Sequence, residues 1–110
     1  MPTYDVSAIG LYILDILGRP IEAIPPGGRA FYIDEINLAV AGTGGGTAVA
    51  CGILGLRTQA VTASGDDASG EFLLANMQRH GIDVSQVRRL PGVATSATML
   101  PVRPNGERPA

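Results

Sequence analysis

Residues 41–70 read AGTGGGTAVACGILGLRTQAVTASGDDASG, and the reading of this stretch decides the fold. Gly42, Gly44, Gly45 and Gly46 follow a strand-like run, 36–41, and precede 47–56, which has no charged residue and reads as a buried helix. A strand that feeds a glycine turn and then a helix N-terminus is a built-in binding place. Glycine removes the Cβ that keeps a ligand off the backbone, and free N–H groups of a first helical turn favour an anion or a polar oxygen.

Working outward, composition limits what this stretch can serve. The chain has 110 residues, of which 45% are hydrophobic and 16% charged, enough for one domain that buries roughly 65% of its unfolded surface. A net charge of -2 with only 8 scattered Lys and Arg residues leaves no basic stripe, so nucleic acid is not expected as a partner. The single cysteine, Cys51, lies inside the apolar helix and reads as a small buried hydrophobe rather than a disulfide half or a nucleophile. Asp5 and Asp15 interrupt the N-terminal apolar residues, and no run of about 18 apolar residues occurs, so no membrane association and a cytoplasmic location are expected.

On the N-terminal side, 6–10 reads as a short buried strand that 11–17 continues with one charge, Asp15. A lone carboxylate in an apolar run must be paired, hydrogen-bonded or open to a cleft, because burying it alone is costly; otherwise it is a turn residue before Gly18. Residues 21–24 and 31–41 read as two strands joined across Pro25, Pro26, Gly27 and Gly28. On the C-terminal side, 58–63 reads as a strand, and Asp66 or Asp67 caps a helix whose apolar face holds Leu73 and Met77 and which Gly81 stops. His80 is then a last-turn residue without metal-ligand spacing to a partner. Strands are expected at 86–90 and 97–103, with a turn at 104–107 that has no returning strand. That turn, and a helix without a polar face, suggest the front piece of a longer protein.

Read by itself, Gly42-Thr43-Gly44 admits a dinucleotide-binding Rossmann turn with Asp66 or Asp67 as the ribose acid, a stand-alone sugar-binding module, or a tight packing turn. The wider spacing singles out a fourth reading. Ala41 to Ala48, Gly55 and Gly65 resemble the N-terminal signature of the ribokinase-like (PfkB) carbohydrate kinases. Gly10 with Asp15, Gly65-Asp66-Asp67-Ala68-Ser69-Gly70, Gly81-Ile82-Asp83, Thr95 and Gly106-Glu107-Arg108 follow in that family's order.

The resemblance implies an α/β fold: residues 1–110 as the N-terminal part of a three-layer α/β/α, Rossmann-like sheet, with lid strands within about 18–41. It implies transfer of the ATP γ-phosphoryl group to a sugar hydroxyl, with the sugar held by Asp15, Gly42, Thr43, Gly44 and Gly46. The catalytic base and the sites for ATP and Mg²⁺ belong to the family's C-terminal part, so neither cofactor is expected to bind this segment well, and the segment alone is expected to be inactive. The lid also serves in this family as a homodimer contact. Gly46 and Ile13 stand where asparagines are found in the family or its ribokinase branch, so two sugar-binding amides are absent.

Overall fold

The structure, a computed structural model, describes residues 3–109. In chain order it contains β1 (Val6–Ile9), β2 (Ile13–Arg19), β3 (Glu35–Ala41), α1 (Thr43–Ile53), β4 (Thr58–Gly65), α2 (Ala68–Arg79), β5 (Asp83–Leu90) and β6 (Ala97–Pro101). The strands form two sheets. One is parallel throughout, in the order β1-β4-β5, and the other runs β3-β2-β6, with β2 antiparallel to β3 and parallel to β6.

Both crossovers of the parallel sheet step in the same direction, so right-handed connections put α1 and α2 on one face, where the helices touch each other. Ala8 and Ala60, paired in register, are buried under them. Among the described residues no helix covers the other face, which carries Ser7, Gln59, Val61 and an Ile9 that is 75% exposed. The single core cluster joins both sheets, because Tyr12 and Leu14 from the β3-β2-β6 sheet pack with Ala48, Leu73, Met77 and Ile82.

Both helices end alike. Gly55 and Gly81 adopt φ of +81° and +72°, and the following Leu56 and Ile82 donate back to Cys51 and Met77 carbonyls at 3.0 and 3.1 Å. These are Schellman closures, and at α2 the accompanying apolar contact of Ile82 and Met77 is part of the core.

Four expectations require correction. Residues 11–17 do not prolong β1: the chain leaves the parallel sheet at Gly10 and starts a strand of the second sheet at Ile13. Residues 21–24 form no strand, since Pro20, Pro25 and Pro26 remove donors there. Only the Ile21 N–H joins the sheet region, donating to Val102 at 2.8 Å. The second predicted strand is shorter, opening at Glu35, where Asp34 N–H donates to the Arg19 carbonyl at 3.0 Å, and the third strand of the sheet is β6 from the far end of the chain. The helix expected over 47–56 is α1, displaced to Thr43–Ile53, so that the glycines form its first turn. Glycine disfavours a helix by about 1 kcal/mol per residue relative to alanine, and here close packing overrides that preference.

Candidate functional site

The Gly42 turn lies at the carboxyl edge of the parallel sheet, where β3 hands the chain to α1 beside the end of β1, the usual place for ligands in open α/β sheets. Gly42 caps α1 with φ +89°, and a Cβ there would run into the Leu11 carbonyl oxygen. The Leu11 carbonyl also accepts the N–H of Gly44 at 3.0 Å and of Gly45 at 3.2 Å, while the Gly46 N–H turns inward to Gly42 at 2.8 Å. The first turn of α1 is therefore not the open anion cradle that the glycines suggested. Three of its donors are occupied within the protein, and only the Thr43 N–H lacks a partner among the described residues. A pyrophosphate bound as in a dinucleotide fold would need those donors.

The five sequence-predicted residues fall into three groups. Gly44 is buried, and a Cβ on it would stand 2.6 Å from Tyr12 Cε1 and 3.0 Å from the Gly10 carbonyl carbon, so its smallness answers to packing. Thr43 and Gly46 are exposed, nothing lies within 4 Å of a Cβ built on Gly46, and Gly42 is half-buried. Asp15 lies mid-strand on β2 rather than in a turn, opposite Ala39 of β3 and Thr98 of β6. The residue is half-buried, and its carboxylate has no hydrogen-bond or ion-pair partner among the described residues. Between Ala39 and Gly42 the strand rises three residues, ~10 Å, so Asp15 stands within one small ligand of the turn.

Two groups that organise this edge were not singled out as site residues. Tyr12, buried with its hydroxyl donating to Ala8 at 2.6 Å, is the floor on which Gly44 and Gly45 rest; an aromatic residue just ahead of Asp15 was the available signal. Asp67 caps α2 and accepts from Gly70 N–H at 2.8 Å, Thr95 N–H at 2.9 Å and the Thr95 hydroxyl at 2.6 Å. The Thr95 hydroxyl, then the Thr95 and Gly70 amides, hold its carboxyl down at about 2 against an ordinary 3.8. A carboxylate with a depressed folded-state pKa stabilises the fold fully above the unfolded value and loses that contribution as pH falls through the folded one. Urea denaturation between roughly pH 5 and pH 2 is expected to show a stability loss that Asp67→Asn largely lacks; parallel profiles would show that the charge contributes nothing.

The remaining chemistry is sparse. Among the described residues no three His, Cys, Asp or Glu side chains gather closely enough to hold a metal ion, and no helix is long and apolar enough to cross a membrane. His80 is the C-cap of α2 and Cys51 a half-buried free thiol on α1.

The sequence profile of the pfkB family carbohydrate kinases matches residues 5–109. This chain belongs to that family. A curated relative, the ATP-dependent 6-phosphofructokinase of Thermoanaerobacterium thermosaccharolyticum, is 28% identical over 87 residues, which cover 79% of this chain and 25% of that protein. The ribokinase of Giardia lamblia superposes with a TM-score of 0.75 at 25% identity, covering 97% of this chain and 32% of its own. The ribokinase of Arabidopsis thaliana, solved with ribose and ATP, superposes with a TM-score of 0.82 at 20% identity over 98% of this chain and 35% of its own. The fold is thus ribokinase-like α/β, and the chain spans a quarter to about a third of the length of these relatives.

Proposed function

We propose that this chain is the sugar-binding N-terminal part of an ATP-dependent carbohydrate kinase, and that the β3-β2-β6 sheet is its lid. The observation that carries this reading is Asp15, half-buried on a lid strand, without a hydrogen-bond or ion-pair partner among the described residues, and paired with Ala39 three residues ahead of the Gly42 turn. A carboxylate left unpaired on a lid strand is suited to accept hydrogen bonds from ligand hydroxyls. In this reading Thr43 and Gly46 line the opposite wall, while Gly42 and Gly44 hold the turn against the Leu11 carbonyl and Tyr12. Lid closure excludes water that would otherwise compete for the phosphoryl group.

In this reading ATP, Mg²⁺ and the base that deprotonates the sugar hydroxyl belong to the family's C-terminal part, and the chain's match to a quarter to about a third of its relatives' length leaves room for such a part. On the face of the lid away from Asp15, an apolar groove of about 530 Å³ is lined by Ile16, Ile36 and Met99 of the sheet and Ile21, Ile24 and Ile33 of the loop. We assign this face to a homodimer contact.

The test compares the product of the complete reading frame with the 110-residue chain. ATP consumption against a panel of sugars is expected only from the former, since positioning and charge stabilisation of the phosphoryl group need both halves. Exposed Ile53, Leu54 and Met99 should also make the short chain associate or bind hydrophobic dyes. Analytical ultracentrifugation of the complete protein tests the dimer. A sharply melting 110-residue monomer that phosphorylates a sugar would overturn this division of labour.

A further inference from the structure

Three connections join the lid to the parallel sheet: residues 10–12 ahead of β2, Gly42 after β3, and 91–96 between β5 and β6. The first two are fastened to each other, because the Leu11 carbonyl holds the first turn of α1. The third has a single fastening. Between Leu90 and Ala97 only Thr95 is buried, and it is buried against the first turn of α2. Its N–H and hydroxyl donate to the two carboxylate oxygens of Asp67, and its hydroxyl accepts the Gly65 N–H at 3.0 Å.

Capping α2 requires less than Asp67 offers. One side-chain oxygen on Gly70 N–H suffices for a cap, and a serine supplies it. Holding Gly70 together with both Thr95 donors takes two acceptor oxygens on one side chain, which a carboxylate provides and an amide or hydroxyl does not. The second task leads directly to the lid. One residue beyond Thr95, the Ser96 carbonyl accepts the Leu14 N–H at 2.9 Å, and Ala97 and Thr98 then pair with Leu14 and Asp15.

We propose that Asp67 is a positioning residue for the sugar-binding carboxylate of Asp15: by fixing Thr95 it sets where β6, and with it Asp15 on β2, stands relative to the Gly42 turn. This rests on the reading of Asp15 as a sugar ligand. The N-terminal turns of both helices thereby anchor the lid, α1 through Leu11 on one flank of β2 and α2 through Thr95 on the other.

The test uses the product of the complete reading frame with Asp67→Ser, which keeps a capping oxygen, Thr95→Val, which removes the hydroxyl at constant shape, and Thr95→Ser, which restores it. Hydrogen exchange is followed at the lid joints, Leu14 and Val102, whose N–H groups donate to Ser96 and Gly18, and at the β1–β4 amides as reference. The first two variants are expected to speed exchange at the joints about tenfold or more and to raise the sugar KM about tenfold, as befits a lost hydrogen bond to a charged group. The reference amides and the ATP KM should stay put, and Thr95→Ser should return both signals. Equal acceleration in β1 and β4, unchanged exchange at the joints, or an unchanged sugar KM with a loosened lid would each overturn the proposal. If the unsubstituted protein phosphorylates no sugar, the kinase reading fails, and the exchange pattern alone decides whether Asp67 holds the lid.

Discussion

Replacing Gly44 by valine is expected to destabilise the protein by about 3 kcal/mol, at the upper end of what an overpacked core site costs. The reason is geometric: the first added carbon meets the Tyr12 ring at 2.6 Å and Gly10 backbone at 3.0 Å, and Tyr12 cannot retreat without giving up its bond to Ala8. Backbone on one side and a buried ring on the other leave no flexible group to move aside. Any loss of sugar binding in this variant would follow from a displaced turn and not from a blocked ligand, since Gly44 is buried. Gly46→Ala is the control. Its site is open and lies within α1, so alanine should be neutral or stabilising by roughly 0.5–1 kcal/mol. Denaturant midpoints of the two variants decide, and a Gly44→Val protein as stable as the parent would show that α1 can shift to make room.

Asp15→Ala is expected to cut kcat/KM for the sugar roughly ten- to a hundredfold in the complete enzyme, because a hydrogen bond to a charged group contributes about 1.5–3 kcal/mol. Stability should not fall with it. Among the described residues Asp15 has no hydrogen-bond or ion-pair partner that its removal would leave unsatisfied. Steady-state kinetics with a melting curve on the same sample separates the alternatives: unchanged kinetics with a lowered melting temperature would make Asp15 structural.

These two residues also mark how far the sequence can be read. By itself the sequence determined the local and periodic features. The Leu73–Met77 stripe and Gly81 delimited α2, the run 58–63 gave β4, and Asp67 was one of two candidate caps. Such features depend on neighbours three to five residues away, which the chain displays in order. The ordered spacing of Gly10, Asp15, the glycine cluster and the Gly65–Gly70 turn was enough to point to the family, although no single glycine motif was.

Only the tertiary structure decided what those glycines do. Gly44 and Gly45 pack on Tyr12 and Val40 and bond to the Leu11 carbonyl, contacts set by how β2 returns past α1. Local preference placed the start of α1 four residues late, at 47 rather than 43, because it counts the glycine penalty and cannot count the packing that outweighs it. The strand expected at 21–24 failed for the converse reason: β2 takes β6, some eighty residues later in the chain, as its second partner, and a pairing that distant leaves no mark in local pattern. The Asp67–Thr95 clamp belongs with these. Its two residues stand 28 positions apart, and their donors and acceptors meet only because β4, α2 and the 91–96 connection converge at one edge of the sheet.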